Sequence, residues 1–193
     1  VDESIAWKDF FFDRYEVTNR QYKEFVDAGG YRDPEYWIHS FIMDGMELSF
    51  DEAMEHFRDQ TGRPGPSTWR VGNYPEGEAD YPVGGVSWYE AAAFAKWSGK
   101  DLPTVSQWAR GRLQFHYTNY ITVSRSNLMG SGPRPVGAND AMAAFGLYDM
   151  TGNVREWCYN EADEGQRATR GGAWPDPTFM SGWVIPKPAF DRD

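Results

Sequence analysis

The stretch GLYDMTGNVREW, residues 146–157, contains two acids that could bind one cation together. Asp149 and Glu156 bracket a Gly-Asn pair that is typical of a tight turn, inside an otherwise apolar run. Carboxylate oxygens are ligands that hard cations such as calcium prefer. Two interpretations follow from these residues: the acids hold a cation, or they only cap turns. The net negative charge of the chain favours the interpretation in which the two acids hold a cation.

The other residue types that often carry chemistry are scarce. Cys158 is the only cysteine, which excludes an intrachain disulfide and a site built from several cysteines. It follows a Glu-Trp pair in an apolar strand context, where cysteine behaves as a small hydrophobe, so we expect it to be structural. The three histidines, His39, His56 and His116, are widely separated and show no metal-ligand spacing. The sequence therefore predicts no three-histidine metal site.

Composition disfavours nucleic-acid-binding and membrane-inserted proteins and indicates the kind of fold. The formal net charge of −10 disfavours nucleic acid as a partner, and no apolar run is long enough to insert into a bilayer. Aromatic residues make up 17% of the chain, with nine Trp and eleven Tyr, and Gly and Pro are plentiful. These features indicate a loop-rich fold filled by aromatic side chains. A length of 193 residues without a repeat or a linker predicts one domain, residues 1–193, and we expect it to be a fragment of a larger protein.

Four segments begin with a capping box, a hydroxyl residue followed three places later by Glu or Gln, which satisfies two backbone donors at a helix start. The pairs are Thr18 with Gln21, Ser49 with Glu52, Ser87 with Glu90, and Thr104 with Gln107. They predict helices near 19–28, 50–60 and 88–98, and a short fourth helix after Thr104.

Strands are harder to locate because most of the remaining chain is irregular. Aromatic enrichment and partial alternation predict a strand over KDFFFDRYEV, residues 8–17. YITVS, residues 120–124, and ATRGGAW, residues 168–174, are further predicted strands. The acidic segment 160–166 is predicted to be a solvated turn.

Four phrases together resemble the formylglycine-generating enzyme, or sulfatase-modifying factor, family. They are DRYEVTNRQYKEFVDAGGY (13–31), YPVGGVSWYEAAAFAKWSGKDLPT (81–104), the opening stretch 146–157, and RGGAW (170–174). The resemblance implies an α+β fold, an irregular C-type-lectin-like fold with short strands, several helices and long loops. It is strongest to the versions fused to bacterial serine/threonine kinases, in which a helical insertion like residues 40–66 is familiar.

The resemblance also implies that the best-known activity of the family is absent. Active members hold copper(I) between two cysteines that follow the RGG phrase and use oxygen to oxidise a substrate cysteine. Here Asp176 lies at the first of those positions and Ser181 near the second, while Ala173 and Arg155 replace a usual serine and tryptophan. Because copper(I) needs thiolate ligands, we expect no copper and no formylglycine-generating activity.

A structural calcium ion is the cofactor that the resemblance does imply. In relatives the loop corresponding to residues 149–156 holds calcium. The ligands carried over are the side chains of Asp149 and Glu156 and the backbone carbonyls of Gly152 and Val154. A mixed shell of carboxylate and carbonyl oxygens is normal for calcium.

Three functions remain open at this point. The first is a non-catalytic scaffold that binds a peptide or a small molecule in the former active-site groove. Its predicted binding residues are Arg155, Trp174, Asp176, Thr178, Phe179 and Ser181. The second is an enzyme of altered, tailoring or oxidative chemistry that uses the same groove without copper. The third, a hypervariable ligand-binding protein, is disfavoured because residues 175–190 are not dense in Asn, Ser and Tyr.

Overall fold

The computed structural model describes residues 9–112, 122–143 and 145–192. The helices are α1 (Asn19–Asp27), α2 (Phe50–His56), α3 (Trp88–Trp97) and α4 (Val105–Gly111). The strands are β1 (Phe41–Met43), β2 (Met46–Leu48), β3 (Glu156–Asp163), β4 (Gln166–Arg170) and β5 (Ile185–Pro188). Short 3-10 turns cover Pro34–Tyr36 and Thr178–Gly182. The mixture of several helices with short strands confirms the predicted α+β class.

All four predicted capping boxes are present. In each, the hydroxyl of the N-cap residue accepts from the backbone N–H three places on, and the Glu or Gln side chain accepts from the N-cap backbone. The second helix is shorter than predicted: α2 ends at His56, and Phe57 caps it with φ −99° and ψ 61°. Residues 40–66, predicted as a helical insertion, contain the β1–β2 hairpin, α2 and a loop.

The described strands form two small antiparallel sheets. β1 pairs with β2, and β3, β4 and β5 form a sheet in that order. Glu156 lies opposite Arg170, and Thr169 lies opposite Ile185. The larger sheet therefore connects the acidic loop 149–156 to the segment that follows Gly171.

Three strand predictions need correction. Described residues 9–17 form no strand, because no other described segment pairs with them in a ladder. Residues 122–124 of the second prediction are helical, and residues 120–121 lie outside the described part. The third strand ends at Arg170, because Gly171 and Gly172 turn the chain with φ of 88° and 77°. The acidic segment is mostly the end of β3, and only the short turn at 164–165 joins it to β4.

Aromatic side chains fill the core, as the composition predicts. The larger cluster gathers around α1 and α3 and includes Trp69 and Trp88, both wholly buried. A smaller cluster surrounds Trp108 of α4. The indole N–H of Trp88 donates to the carbonyl of Cys158 at 2.9 Å, which ties α3 to β3. Within the described residues, no helix has the length and apolar character needed to cross a membrane.

Candidate functional site

The loop between Asp149 and Glu156 is tightly coiled. Asp149, Gly152 and Asn153 all adopt left-handed backbone conformations, with φ of 57°, 80° and 63°. A Cβ at Gly152 would lie 2.4 Å from the carbonyl oxygen of Asn127, so only glycine fits there. Two backbone bonds of 2.9 Å hold the loop, from Gly152 N to Gly171 O and from Asn153 N to Asn127 O.

Both acids of the loop are hydrogen-bonded inside the protein. Asp149 is fully buried and accepts from the backbone N–H of Gly137 at 2.6 Å and from the amide of Asn139 at 3.0 Å. Glu156 accepts from the indole N–H of Trp108 at 2.7 Å. Burial raises the pKa of Glu156 to about 7; the bond from Trp108 opposes this rise, and the charge of Asp149 adds to it. The loop therefore buries more negative charge than its hydrogen bonds offset.

A third acid, Glu16, joins the same region and was missed by the sequence analysis. Its carboxylate accepts from the side-chain amide of Asn153 at 2.6 Å and from the backbone N–H of Val154 at 3.2 Å. Burial raises the pKa of Glu16 well above its usual value, and the charges of Glu156 and Asp149 raise it further. No sequence pattern indicates this contact, because Glu16 lies 137 residues before Asn153.

These residues fit calcium in donor type and in charge. No cationic side chain forms an ion pair with Glu16, Asp149 or Glu156 in the described part of the chain, and the hydroxyl of Thr151 is buried without a partner. The side chains alone do not form a cage: among described residues, no three or more His, Cys, Asp or Glu come together as metal ligands. An ion here would depend on backbone carbonyls, which calcium accepts readily.

Apart from Arg155, the residues predicted to line the former active-site groove lie on the segment after Gly172. Asp176 is 6% exposed and forms an ion pair with Arg155 at 2.5 Å. Its other carboxylate oxygen accepts from the backbone N–H of Ala173 at 2.8 Å. Ser181 is 3% exposed and donates its hydroxyl to the carbonyl of Thr178 at 2.9 Å. Both predicted side chains are therefore bound within the protein.

The structure brings Asp176 and Ser181 together around Gly172. A Cβ at Gly172 would lie 3.5 Å from a carboxylate oxygen of Asp176 and 3.4 Å from the Cα of Ser181. Arg112, the residue that caps the C-terminus of α4, closes this region by donating to the carbonyl of Ser181 at 2.8 Å. Burial lowers the pKa of Arg112, and the charge of Arg170 lowers it further. The sequence analysis did not predict the part played by Arg112.

An exposed apolar surface borders the buried Asp176. Phe179 is 66% exposed and lies edge-on to Trp183, which is 63% exposed, with the ring centroids 6.4 Å apart. Met129 is 72% exposed, and its backbone N–H donates to the carbonyl of Asp176 at 3.1 Å. Trp174 is half-buried. Of this surface, the sequence analysis named Phe179 and Trp174 but missed Trp183 and Met129.

Cys158 is part of the protein core, and the two described histidines, His39 and His56, pack against aromatic rings. Cys158 is fully buried, and burial with the charge of Glu156 raises the pKa of its thiol to about 12. His39 lies 4.7 Å from the ring of Trp88, and His56 contacts the ring of Phe190 at 5.5 Å. His116 lies outside the described residues. With its pKa raised this far, the thiol of Cys158 is not a nucleophile at neutral pH.

The chain is similar to proteins of one known family. The profile of the sulfatase-modifying factor enzyme 1-like domain matches residues 2–184. The "Inactive C-alpha-formylglycine-generating enzyme 2" of Bos taurus is 31% identical over 209 residues, covering 89% of this chain and 67% of that protein. The "Serine/threonine-protein kinase pkn1" of Chlamydia caviae is 33% identical, covering 77% of this chain and 22% of the kinase. The "Hercynine oxygenase" of Mycolicibacterium smegmatis is also 33% identical, covering 77% of this chain and 36% of that protein.

Two solved structures share the fold. The protein "CarF" aligns with a TM-score of 0.57 at 20% identity, over 92% of this chain and 80% of that one. "Treponema denticola variable protein 1" aligns with a TM-score of 0.54 at 19% identity, over 92% of this chain and 78% of that one. The chain thus spans only part of each protein it resembles, as little as about a fifth of the kinase. The profile match and these relatives show that the chain belongs to the formylglycine-generating enzyme, or sulfatase-modifying factor, family.

Proposed function

We propose that this domain is a non-catalytic binding module that holds a peptide or small molecule in the groove beside residues 173–183. The observation that carries the proposal is the state of Asp176 and Ser181. Asp176 is neutralised by Arg155, and the Ser181 hydroxyl is bonded to Thr178. A carboxylate already paired with a guanidinium is a weak base, and a buried hydroxyl already used as a donor is not poised to attack.

The apolar surface next to these side chains supplies what a binding site needs. Phe179 and Trp183 expose large rings, while Arg155 fixes the chain behind them through Asp176. Exposed aromatic side chains on a rigid support are common anchors at peptide interfaces. On this proposal Trp174, Thr178 and Phe179 contact the ligand, and Arg155, Asp176 and Ser181 hold the groove in shape.

The relatives support a non-catalytic module within a larger protein. The cattle relative is named as an inactive enzyme, and the kinase relative is more than four times as long as the matched segment. We therefore propose that the domain works alongside another domain, of which a fused kinase is one form. Its task there is to present a ligand surface while the neighbouring domain carries the activity.

We also propose that calcium stabilises the loop 149–156. The ligands are the carboxylates of Asp149 and Glu156 and the carbonyls of Gly152 and Val154. Calcium supplies the positive charge that the buried acids lack. Glu16 is a further candidate for the same ion, since it already binds the loop through Asn153 and Val154.

Peptide binding gives a direct test. A fluorescently labelled cysteine peptide of the sulfatase type is titrated with the protein, and anisotropy is recorded. We expect saturable binding that Phe179→Ala weakens about tenfold or more, because a central aromatic anchor contributes over 1 kcal/mol. Met46→Ala, at a side chain 65% exposed on the β1–β2 hairpin, is the matched control and should bind normally. Equal affinity of wild type and the Phe179 variant would contradict this site.

The second candidate is an enzyme of altered chemistry in the same groove. It is favoured by the similarity to the protein named hercynine oxygenase. Such chemistry would need a redox metal or a base that Arg155 does not neutralise. Metal analysis of the purified protein separates the candidates: one equivalent of bound iron or copper would favour the enzyme, and calcium alone would favour the binding module.

A further inference from the structure

Two arginines that are not among the predicted groove residues lie against the ring of Trp108. The guanidinium carbon of Arg170, the last residue of β4, is 4.7 Å from the centroid of that ring, and that of Arg112 is 5.6 Å from it. Arg112 donates to the carbonyl of Ser181 at 2.8 Å. Arg170 donates to the carbonyl of the next residue, Gly182, at 3.1 Å. One indole ring and two consecutive carbonyls therefore bring the two cations together.

Neither cation has an acidic partner in the part of the chain that the structure describes. None of the ion pairs there includes Arg112 or Arg170. Glu156 lies opposite Arg170 across the β3–β4 ladder, and its charge attracts Arg112. Its carboxylate nevertheless accepts from the indole N–H of Trp108 instead. Residues 113–121, which directly follow Arg112 and lie outside the described part, contain no Asp or Glu.

The two guanidinium groups repel one another and leave donors unused. Burial lowers the pKa of Arg112, and the charge of Arg170 lowers it further. Burial also lowers the pKa of Arg170, whose Nε–H is buried without a hydrogen-bond partner. A guanidinium carries five N–H donors, and among the described residues Arg170 uses only Nη1, toward Gly182. An anion bound between the two groups would offset their repulsion and accept from the donors that remain.

The turn that these arginines contact is exposed and belongs to the groove region. Gly182 is exposed, and Trp183, which follows it, is 63% exposed and lies against the ring of Phe179. Among described atoms, a Cβ at Gly182 would approach only Nη1 of Arg112, at 4.0 Å. Arg112 and Arg170 are both half-buried, so each retains some contact with solvent. A ligand that covers the two aromatic rings can therefore reach the cations at the adjoining turn.

We propose that Arg112 and Arg170 together bind a carboxylate or phosphate group of the ligand. Planar guanidinium groups match the oxygens of both anions and bind them through charge-assisted hydrogen bonds. Because the anionic group is taken to belong to the ligand held beside residues 173–183, the site rests on the proposed function and adds the charge of that ligand. Since the whole chain carries −10, the selection acts at contact distance rather than by long-range attraction.

The test compares three labelled peptides, Ser-Leu-X-Phe-Ser, with glutamate, phosphoserine or glutamine at X. Wild type should bind the glutamate and phosphoserine peptides at least about tenfold more tightly than the glutamine peptide, because only the first two supply an anion. A higher affinity for phosphoserine than for glutamate would identify phosphate as the preferred group. Equal affinity of wild type for all three peptides would overturn the proposal.

Arginine variants locate the anion. Arg112→Gln and Arg170→Gln should each bring the ratio of glutamate to glutamine affinity close to one. Arg167→Gln is the matched control and should keep the wild-type ratio. Arg167 is also half-buried, lies 3.9 Å from the ring centroid of Trp88 and donates to the carbonyl of Tyr159, but it does not contact the turn at 181–182. A ratio that all three variants leave unchanged would contradict the site.

Chemical protection of wild type by inorganic phosphate tests the site even where an arginine variant unfolds. Phenylglyoxal modifies accessible guanidinium groups, and mass spectrometry gives the rate at each arginine. Millimolar phosphate should slow modification of Arg112 and Arg170 several-fold relative to chloride at equal ionic strength. The rate at Arg167 should stay the same. Rates at Arg112 and Arg170 that phosphate does not change would overturn the proposal.

The same measurements separate the anion site from the binding groove. Phe179→Ala should weaken the glutamate and glutamine peptides by the same factor and leave their ratio unchanged, because it removes only an apolar contact. Peptides that bind with a ratio of one would retain the groove and exclude the anion site. Protection by phosphate without binding of any peptide would retain the anion site and contradict the groove.

Discussion

At the scale of single residues, Asp176 is a buried acid whose main side-chain partner is one guanidinium. It is 6% exposed, and the guanidinium of Arg155 lies 2.5 Å from it. Among the described residues, the other hydrogen bond to its carboxylate comes from the backbone N–H of Ala173. Removal of the guanidinium would leave a buried charge with one hydrogen bond, which is costly.

Arg155→Ala should therefore destabilise the protein by about 3 kcal/mol. The matched control is Arg125→Ala, because Arg125 pairs with Asp140 at 2.7 Å on the surface, with side chains 54% and 85% exposed. That control should change the free energy of unfolding by less than about 0.5 kcal/mol. Urea unfolding of both variants measures the difference, and equal losses would show that the Arg155 pair is no stronger than a surface pair.

Protonation of His39 should contribute a loss of folding stability as the pH falls. Burial lowers its pKa, the charge of Arg167 lowers it further, and Asp101 opposes both. Below about pH 6.5 the unfolded chain binds a proton at this residue before the folded protein does, so stability falls as the pH falls. Glu156, whose pKa is raised to about 7, contributes in the opposite direction over the same range. His39→Phe keeps a ring against Trp88, so on going from about pH 7 to pH 5.5 the melting temperature of this variant should fall less, or rise more, than that of wild type. An unchanged slope would mean that other groups cause the dependence.

At the scale of elements, helices were predictable and strands largely were not. A capping box is read from four consecutive residues, and all four such pairs begin helices. The strand β4 depends on pairing with β5 some twenty residues later and with β3, which local sequence does not reveal. Residues 9–17 have strand composition, but the described chain supplies no ladder for them. Tertiary pairing, rather than propensity, decided where strands form.

The cap of α3 should matter more than the cap of α2. Ser87 is fully buried, and its hydroxyl accepts from the backbone N–H of Glu90 at 3.2 Å at the start of the helix that carries Trp88. Ser87→Ala should lower the free energy of unfolding by about 1–2 kcal/mol. Ser49→Ala removes the same kind of bond from the shorter α2 and should cost about 0.5–1 kcal/mol. Thermal unfolding that ranks the two variants in the opposite order would contradict this account.

At the scale of the whole molecule, three acids contribute to the surroundings of one loop: Asp149 and Glu156 lie within it, and Glu16, distant in sequence, hydrogen-bonds to it. The stretch 149–156 suggested two of them, but Glu16 reaches the loop only because the fold brings it across from the start of α1. The segment after RGG was located by resemblance, and its role as a binding groove stays a prediction. Trp183 and Met129, which belong to the exposed apolar surface beside Asp176, could not be predicted from the sequence, because neither belongs to a motif.

Calcium removal should lower the melting temperature. At a hundred times its Kd, a ligand specific for the folded state stabilises by about 2.7 kcal/mol. At about 2–4 °C per kcal/mol, EDTA should lower the midpoint by about 5–10 °C. Asp149→Ala should lower it similarly and abolish the response to EDTA, whereas Asp140→Ala, at an acid 85% exposed, should retain it. Identical melting of verified metal-free protein with and without millimolar calcium would leave the acids as turn caps only.

The most direct test of the central claim, binding without catalysis, follows the fate of the cysteine peptide. The protein is incubated with the sulfatase-type peptide, copper and oxygen, and the products are analysed by mass spectrometry beside a heat-inactivated sample. With Asp176 and Ser181 bound internally and Cys158 buried, the peptide mass should remain that of the cysteine form while anisotropy shows it bound. Formylglycine above the heat-inactivated control would contradict the account and assign the domain a catalytic function.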